Sequence, residues 1–513
     1  MIAENAIAQP TRLSAVIALT VVTLVGVGTM FALAAGQPVV AIAIPIAAGG
    51  LYAVYRLPLR MVLLGVFLLV LALEGLEYPL GDFENEWRVP MLYDLARAFL
   101  LNVSTVMGGG PIRLPLVDIV TLALFVLSMV RHPRDGWAGR QPTVRAMHMA
   151  LWASAVVAGL LVVVGVAQGG SFNQAWWQVR SILMFPVRAV VLMRALDFTG
   201  LELKAIGRLL VGAAVFKAAI GLWFYYVVAP GMGYVPSFTT SHTDTLLFVP
   251  VIALYFAKAL EARNARDLFG GFIWAPIVFW GLVANDRRVS YASLCIGLVV
   301  MLVMAPPTPV KRWATRALLV VTPLIPWYVI AGWNTDGKGV FFPVGVLRSL
   351  VVGEKLYAGQ VDYRDVENID VLYTWSQHKV LPMGFGHPFE LFMPLADISS
   401  WFGDWQYHPH NALLWLFAIG GPIGFTLMML PHAATLFLAA RSYRASRDFN
   451  ERVALLVCIV TIITYFNLLW GDMGTLHRTA SWGAALAAAI AAKLAMKTGA
   501  WPAVRRMPRE GEV

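Results

Sequence analysis

Hydrophobic positions in this chain fall into long apolar runs separated by short polar segments. A helix that crosses the hydrocarbon core of a membrane needs about 20 apolar residues, with about 17 to 25 tolerated. On that rule the sequence predicts about 14 spans. They lie near 13–35, 38–55, 61–76, 116–130, 149–166, 180–196, 205–228, 244–260, 271–284, 289–305, 316–333, 411–440, 453–470 and 480–494.

Composition supports a protein that lives in lipid. Of the 513 residues, 59% are hydrophobic and only 13% are charged, whereas an ordinary soluble domain carries about 25% charged residues. A soluble globular enzyme, a disordered chain and a collagen-like repeat are therefore excluded. We expect an all-α polytopic membrane protein in which residues 1–513 form a single integral membrane domain.

The charge pattern indicates which way the chain is threaded. The 39 Lys and Arg exceed the 29 Asp and Glu, giving a net charge of +10; in a membrane protein such an excess marks cytoplasmic loops rather than nucleic-acid binding. With the N-terminus in the cytoplasm, nearly every basic cluster falls on one side, which predicts cytoplasmic N- and C-termini. The first apolar run is interpreted as a retained span rather than a signal peptide, and the two cysteines imply no disulfide framework.

Two long segments fall on the opposite, extracytoplasmic side. Residues 77–115 interleave Trp87, Met91 and Leu95 with charged positions, which predicts an amphipathic helix lying on the membrane surface. Residues 334–410 form a large loop, rich in Gly, Asp, Trp and Tyr and long enough to hold a small folded cap. Loops of that length are usually functional.

Basic side chains on the extracytoplasmic side or inside apolar runs need another explanation than topology. The candidates for substrate binding and catalysis are Arg180, Arg188, Lys217, Arg287, Arg288, Arg364, His408 and His410. A planar guanidinium binds phosphate oxygens in pairs and keeps its charge, so arginines at span ends suit a diphosphate. The alternative for each is a side chain reaching for lipid headgroups. Lys217 and Arg188 lie deeper, and there the alternatives are a functional role or an ion pair.

Histidines end the large loop. An imidazole near neutral pKa can take a proton from a sugar hydroxyl, and His410 stands at a predicted helix start; the alternative is a structural role. A metal site at His408 and His410 is disfavoured because their spacing does not put two ligands on one helical face. We expect neither metal nor cofactor, and the absence of a phosphate-binding loop argues against transport driven by ATP.

These residues carry a family resemblance. Residues 408–424 read HPHNALLWLFAIGGPIG and follow a Gly-Phe-Gly turn at 384–386. The pattern resembles the signature of the O-antigen ligase and polymerase superfamily, in which His-Asn opens a helix and Gly-x-x-Gly follows. Arg287-Arg288 at a span start and Arg180 in its Trp-rich approach are similar to the family's arginines, and the order agrees over about 116–470, most of the chain.

The resemblance implies a GT-C-like membrane glycosyltransferase whose donor is an undecaprenyl-diphosphate-linked glycan, without metal or nucleotide sugar. His410 would be the base, Arg288 and Arg180 would hold the diphosphate together with Arg287, and His408 and Arg364 are looser matches. The acceptor would be a lipid or a glycan, as in a ligase or a polymerase, with membrane lipids as further partners and no nucleic acid. The location implied is the bacterial inner (plasma) membrane, with the active site on the extracytoplasmic face.

Other functions remain open at the level of sequence. A transporter or flippase of lipid-linked glycans would also need buried cations and many spans, although no clear internal repeat is present. A scaffold without an active site would leave the extracytoplasmic arginines and Lys217 unexplained.

Overall fold

In the computed structural model, the described residues are 57–81, 87–101, 114–131, 142–233, 238–262, 272–335, 363–379, 381–399, 403–471 and 477–500, together with scattered positions between them. Contacts divide the chain into two units, Met1–Gly65 and Val66–Val513. Most of the first unit lies outside the described residues, and so do most of the first two predicted spans. The site described below belongs to the second unit.

The described residues are helical, with no strand among them. The helices are α1 (Leu59–Leu73), α2 (Leu92–Leu100), α3 (Leu116–Arg131), α4 (Pro142–Ala167), α5 (Phe172–Ala195), α6 (Gly200–Trp223), α7 (Thr245–Glu261), α8 (Ala275–Asn285), α9 (Arg288–Met304), α10 (Pro309–Val321), α11 (Leu324–Gly332), α12 (Tyr363–Gln377), α13 (Ala412–Ala445), α14 (Phe449–Gly471) and α15 (Arg478–Thr498).

Five of these helices are long and apolar enough to cross a membrane, or six if the bent pair α10 and α11 forms one span; the search covers the described residues only. They are α4, α6 with its continuation to Gly231, α13, α14 and α15. Helices α1, α3, α8 and α9 are apolar but shorter. The described residues are therefore all-helical and include at least five candidate membrane-spanning helices, while the full number of about 14 spans stays a prediction.

Twelve of the predicted spans, from 61–76 onward, coincide with described helices, counting α10 and α11 as one. The boundaries differ most at α5, which begins at Phe172 rather than at Arg180. Arg180 therefore lies about two turns inside a helix instead of at its mouth. The first turns of α5 contain polar residues, including Gln174 and Gln178, so a rule that looks for apolar runs places the start of the helix too late.

The helices pack as one bundle in the second unit. Helix α13 packs against α4, α14 and α15, and α15 also packs against α5. The turn at 384–386 contacts the end of α4 and the start of α5, and Gln178 of α5 holds Tyr407 just before α13. Asn285 at the end of α8 holds Thr240 just before α7, and Glu74 joins Lys217 to the start of α15, which also contacts α5. We call the helix termini that these contacts bring together the site end.

The described parts of the two long segments each contain a helix, α2 in 77–115 and α12 in 334–410. In 77–115, α2 buries Ala96 and Leu100 and leaves Leu95 exposed, as an amphipathic helix does, and Met91 just before it is exposed too. In 334–410, α12 and residues 381–399 form a cap. Its apolar side chains join those of α4, α5 and α13 in one core cluster that includes Phe385, Phe389 and Trp415. The position of either segment relative to a membrane stays a prediction.

Candidate functional site

His410 is held by a carboxylate from the cap. Glu367 Oε2 accepts a hydrogen bond from the backbone N–H of His410 at 2.9 Å, and the same carboxylate lies 3.1 Å (Oε2) and 3.2 Å (Oε1) from the ring Nδ1. The side chain of Glu367 is 2% exposed and that of His410 is 22% exposed. A proton on Nδ1 is thereby directed to Glu367, which leaves Nε2 as the nitrogen with a free lone pair.

Local structure fixes both partners of this pair. Asn411 caps α13, its side-chain oxygen accepting from the Leu414 N–H at 3.0 Å, so that His410 stands immediately before the helix. On α12, Asp370 follows Glu367 at helical spacing and accepts hydrogen bonds from the N–H groups of Phe392 (3.0 Å) and Met393 (2.9 Å). The cap helix cannot rotate about its axis without breaking these bonds, and Glu367 stays aimed at His410.

Tyr363 and Arg364 open α12 on the side of the histidine. The Tyr363 ring meets the His410 ring edge-on, with centroids 5.9 Å apart. Its hydroxyl is buried without a hydrogen-bond partner among the described residues, and burial together with Glu367 and other carboxylates raises the pKa of Tyr363 well above its ordinary value. The phenol therefore keeps its proton and is available as a donor. Arg364 is exposed at the start of the helix.

Trp177 contacts both His408 and Arg180. The His408 ring contacts Trp177 edge-on at 6.3 Å, and the guanidinium of Arg180 lies 4.3 Å from the centroid of Trp177. His408 and Arg180 are both buried. One indole thus links the first arginine predicted from sequence to the histidine segment, two residues from His410.

Gln178 joins the Gly-Phe-Gly turn to the histidine segment. Its Nε2 donates to the carbonyl oxygen of Tyr407 at 2.8 Å, and its Oε1 accepts from the N–H of Gly386 at 2.7 Å. The turn needs its glycines, because Gly384 and Gly386 have φ values of +75° and +101°. A Cβ on Gly384 would lie 2.4 Å from the backbone nitrogen of Gly165. Because these glycines have no Cβ, the turn can pack directly against the backbone of α4.

Asp118 of α3 is the carboxylate partner of two arginines. Its Oδ1 accepts from Arg188 Nη2 at 2.6 Å. Its Oδ2 lies 3.4 Å from Arg180 Nε, within ion-pair range but without the alignment of a hydrogen bond. All three side chains are buried. Arg188 lies two turns below Arg180, as the sequence indicated, and the ion-paired alternative that was open for Arg188 is the one observed.

Lys217 is ion-paired as well. Its Nζ lies 3.3 Å from Asp244 Oδ1 and donates to the carbonyl oxygen of Glu74 at 2.8 Å. The lysine and both acidic residues are buried. Of the two sequence-based alternatives for Lys217, the geometry supports the ion pair, and the buried cation lies where α6 passes the end of α1.

Arg478, at the start of α15, completes this set of charges. Its Nη1 lies 3.4 Å from Glu77 Oε1 and 3.8 Å from Glu74 Oε1, and its Nη2 donates to the Leu100 carbonyl. The backbone N–H groups of Arg478 and Thr479 donate to the Glu74 carboxylate. Arg478 also lies within electrostatic range of Arg180, so the Asp118 pair and this pair belong to one group.

We call these side chains the ionic network. It consists of four cations, Arg180, Arg188, Lys217 and Arg478, and four carboxylates, Glu74, Glu77, Asp118 and Asp244. Burial raises the pKa of Glu77 to about 7, although Arg478 opposes the shift. The network thus sets four basic side chains against four acidic ones. Balanced charges of this kind can stay buried, since each ion has a partner.

Arg287 and Arg288 stand where the sequence placed them. Arg288 begins α9 and Arg287 precedes it, after a left-handed residue at Asp286. The Arg287 guanidinium lies 3.6 Å from the centroid of Phe238. Burial raises the pKa of Asp286, and the two arginines oppose that shift. The preceding Asn285 accepts from the Thr240 N–H at 2.9 Å.

The sequence-predicted residues thus fall into two groups at the site end. Arg180, His408 and His410 come together around Trp177 and Glu367. Arg287, Arg288 and Lys217 lie along the 238–245 segment, where Asn285 holds Thr240 and Lys217 pairs with Asp244. Arg188 connects the groups through Asp118 and the ionic network. Among the described residues, no three His, Cys, Asp or Glu side chains converge to hold a metal ion.

Several important side chains were not predicted. Glu367 and Asp118 are carboxylates in otherwise unremarked positions, and no pattern in the sequence pairs them with His410 or the arginines, 43 and about 60 to 70 positions away. Arg478 could have been found: it is an arginine at the start of a predicted span on the extracytoplasmic side, the criterion that selected Arg180 and Arg288.

No family model matches the chain, and no curated protein matches it.

Proposed function

We propose that the protein is a membrane glycosyltransferase that moves a glycan from an undecaprenyl-diphosphate-linked donor to an acceptor hydroxyl, in the manner of O-antigen ligases and polysaccharide polymerases. One observation carries the proposal: a buried carboxylate, Glu367, fixes the partly exposed imidazole of His410 two residues from His408, which contacts Trp177 and, through it, Arg180. A carboxylate that orients an imidazole beside cations is what acid–base chemistry on an anionic substrate requires.

In the proposed reaction, His410 Nε2 takes the proton of the acceptor hydroxyl while Glu367 stabilises the imidazolium that forms. The acceptor oxygen attacks the anomeric carbon of the donor sugar from the face opposite the diphosphate, forming the new glycosidic bond with inversion. The bond between the anomeric carbon and the diphosphate oxygen breaks, and the lipid diphosphate leaves with the electron pair. The proton on His410 is then released, and no metal ion or nucleotide sugar takes part.

The leaving group develops negative charge, which fixed guanidinium groups stabilise without reorganising. We assign this role to Arg288, with Arg287 and Arg180 as further contacts to the diphosphate. Arg188 and Lys217 act behind them through their positive charge, because Arg188 is hydrogen-bonded to Asp118 and Lys217 to the Glu74 carbonyl. Arg180 makes no such hydrogen bond to Asp118 and lies over Trp177 beside His408. His408, Arg364 and the buried hydroxyl of Tyr363 are the proposed contacts to the glycan.

The finer topology belongs to the same proposal. About 14 spans, with both termini in the cytoplasm, would place the site end and the segments 77–115 and 334–410 on the extracytoplasmic face of the bacterial inner membrane. The donor lipid would remain in the bilayer while its sugar faces outward. The cap over His410 would exclude water from the anomeric carbon.

The test is transfer by the purified protein from a defined undecaprenyl-diphosphate oligosaccharide to candidate lipid and glycan acceptors, with the products sized. His410→Ala should abolish transfer while the protein remains folded, as a cooperative thermal unfolding transition would show. Unchanged turnover in a folded His410→Ala protein would remove the histidine from the reaction. Product length distinguishes a ligase, which adds one preformed glycan, from a polymerase, which extends a repeat.

Arg288→Lys tests the arginines separately. It keeps the charge but loses the paired donors of the guanidinium, so transfer should fall severely; Arg316→Lys, at an exposed position of α10, is the control. Near-normal transfer by Arg288→Lys would mean that the side chain serves the membrane interface. Movement of the lipid-linked glycan across vesicles without product formation would favour the transporter instead.

A further inference from the structure

A second feature lies at the opposite end of the bundle from His410. A groove of about 750 Å³ runs between α6, α7 and α14. Its polar end is formed by Lys204 near the start of α6, Lys258 near the end of α7, and Asn450 near the start of α14. Since α7 starts at Asp244 of the ionic network and ends beside Lys258, the groove opens away from the site end.

The lining changes from basic to apolar along one face of α6. Lys204 and Arg208 are followed at helical spacing by Val211 and Val215. From Lys204 to Val215 the helix rises about 16 Å, roughly half the thickness of a bilayer's hydrocarbon core. Helices α6 and α14 are both long and apolar enough to cross a membrane. The groove therefore has the depth of a single leaflet.

The three cations of the groove differ from those of the ionic network. Among the described residues, no acidic side chain lines the groove and none forms an ion pair with Lys204, Arg208 or Lys258. Arg208 lies close enough to Lys258 to repel it, and Lys258 Nζ lies over the ring of Tyr255 at 5.6 Å. Trp274, which is 45% exposed, stands at the same rim, as indoles do at membrane interfaces.

We propose that this groove binds an anionic phospholipid, with the phosphate between Lys204, Arg208 and Lys258 and an acyl chain along Val211, Gly212 and Val215. Mutual repulsion of the cations is relieved by a phosphate, and the apolar lining below them is matched by a hydrocarbon chain. A soluble anion would bind the three cations but would not contact the apolar lining. A zwitterionic lipid would contact the apolar lining but would be attracted only weakly by three positive charges. This site is independent of the proposed transfer reaction.

The charge is tested with the full-length protein in phosphatidylcholine nanodiscs with and without phosphatidylglycerol, by native mass spectrometry of retained lipid. The triple variant Lys204→Gln, Arg208→Gln, Lys258→Gln should lose roughly 100-fold in affinity for phosphatidylglycerol, about fivefold for each cation. The control triple variant Arg316→Gln, Arg444→Gln, Arg447→Gln removes the same charge from exposed positions. Its affinity for phosphatidylglycerol should stay at the wild-type value. Equal loss in both would overturn the proposal in favour of nonspecific surface attraction.

The acyl chain is tested by filling the groove. A Cβ added at Gly212 meets nothing within 4 Å, so Gly212→Phe should fold and should displace the bound lipid. Gly159→Phe is the matched control, since Gly159 is also helical with open space at its Cβ and lies in α4, outside the groove. Retained lipid in Gly212→Phe, or displacement by soluble glycerol phosphate alone, would reduce the site to an anion patch and overturn the lipid assignment. Neither readout uses glycan transfer, so failure here leaves the proposed function untouched.

Discussion

Glu367 contacts His410 twice, accepting from its backbone N–H at 2.9 Å and lying 3.1 Å from its ring Nδ1. The backbone contact fixes where the residue sits, and the side-chain contact fixes which nitrogen faces outward. A single buried carboxylate thus sets both the position and the tautomer of the one histidine that the proposed reaction requires.

Glu367→Gln should therefore lower kcat for glycan transfer by roughly 100-fold, because an amide can replace the hydrogen bonds but cannot stabilise an imidazolium. KM for the lipid-linked donor should change little, since Glu367 does not face the diphosphate. Steady-state kinetics with the purified protein separates the two. Glu390→Gln, an exposed carboxylate on the same cap, is the control, and an equal loss in that variant would count against the pairing.

Gln178→Leu should displace the histidine segment. The variant leaves the Tyr407 carbonyl and the Gly386 N–H without their partner, and each orphaned buried group costs about 1 to 3 kcal/mol. We expect a lower thermal unfolding temperature and a loss of transfer. Gln168→Leu removes a single exposed bond to Pro382 on the neighbouring turn and should behave as wild type; if both variants were equally stable, Gln178 would not link the two segments.

Gly384→Ala should destabilise the protein by about 2 kcal/mol or more, because the residue has φ +75° and an added Cβ would lie 2.4 Å from Gly165 N. Gly403→Ala is the matched control: its nearest neighbour is the Ser399 carbonyl at 3.9 Å, and no strain is expected. Chemical or thermal unfolding in detergent measures the difference. Equal stabilities would mean that the turn does not press on α4.

Glu77 should make stability depend on pH. Its pKa is about 7 in the folded protein against an ordinary value of 4.5, so the folded state favours the protonated form. This contribution is fully present below pH 4.5 and is lost as pH rises through about 7, a change of roughly 3 kcal/mol. The unfolding temperature of the wild type should fall between about pH 5 and about pH 8.

Glu77→Gln should flatten that part of the profile, since Glu74 remains to balance Arg478. Asp365→Asn, an exposed carboxylate at the start of α12, is the matched control and should keep the wild-type slope. A profile in Glu77→Gln that is as steep as that of the wild type would assign the pH dependence to other groups.

The positions of most helices could be predicted from the apolar runs, because contact with lipid and packing in the bundle core both require long hydrophobic stretches, which are visible in the sequence. They failed at α5, whose first turns carry glutamines and Arg180 in a buried polar cluster. The helix start at Asn411 and the glycine turn at 384–386 could also be predicted from the sequence, because helix capping and positive φ depend on only a few adjacent residues.

The ion-pair partners of the buried charged residues could not be predicted from the sequence. Each pair in the ionic network joins two separate segments of the chain, so nothing at the level of neighbouring residues connects Asp118 with Arg188 or Lys217 with Asp244. The sequence left a functional role and an ion pair open for Arg188 and Lys217, and the balance of four cations by four carboxylates appears only when the helices pack together.

The hydrogen bond between the Glu74 carboxylate and the Arg478 N–H spans 404 positions of the chain. At a synthesis rate of about 5 to 20 residues per second, roughly 20 to 80 s pass between the addition of Glu74 to the chain and the addition of Arg478. Until then two acidic side chains at the end of α1 lack the arginine that neutralises them in the finished bundle. A chain that stops short of α15 keeps both carboxylates without this arginine, so the last helix is needed to complete the charge pairing at the end of α1.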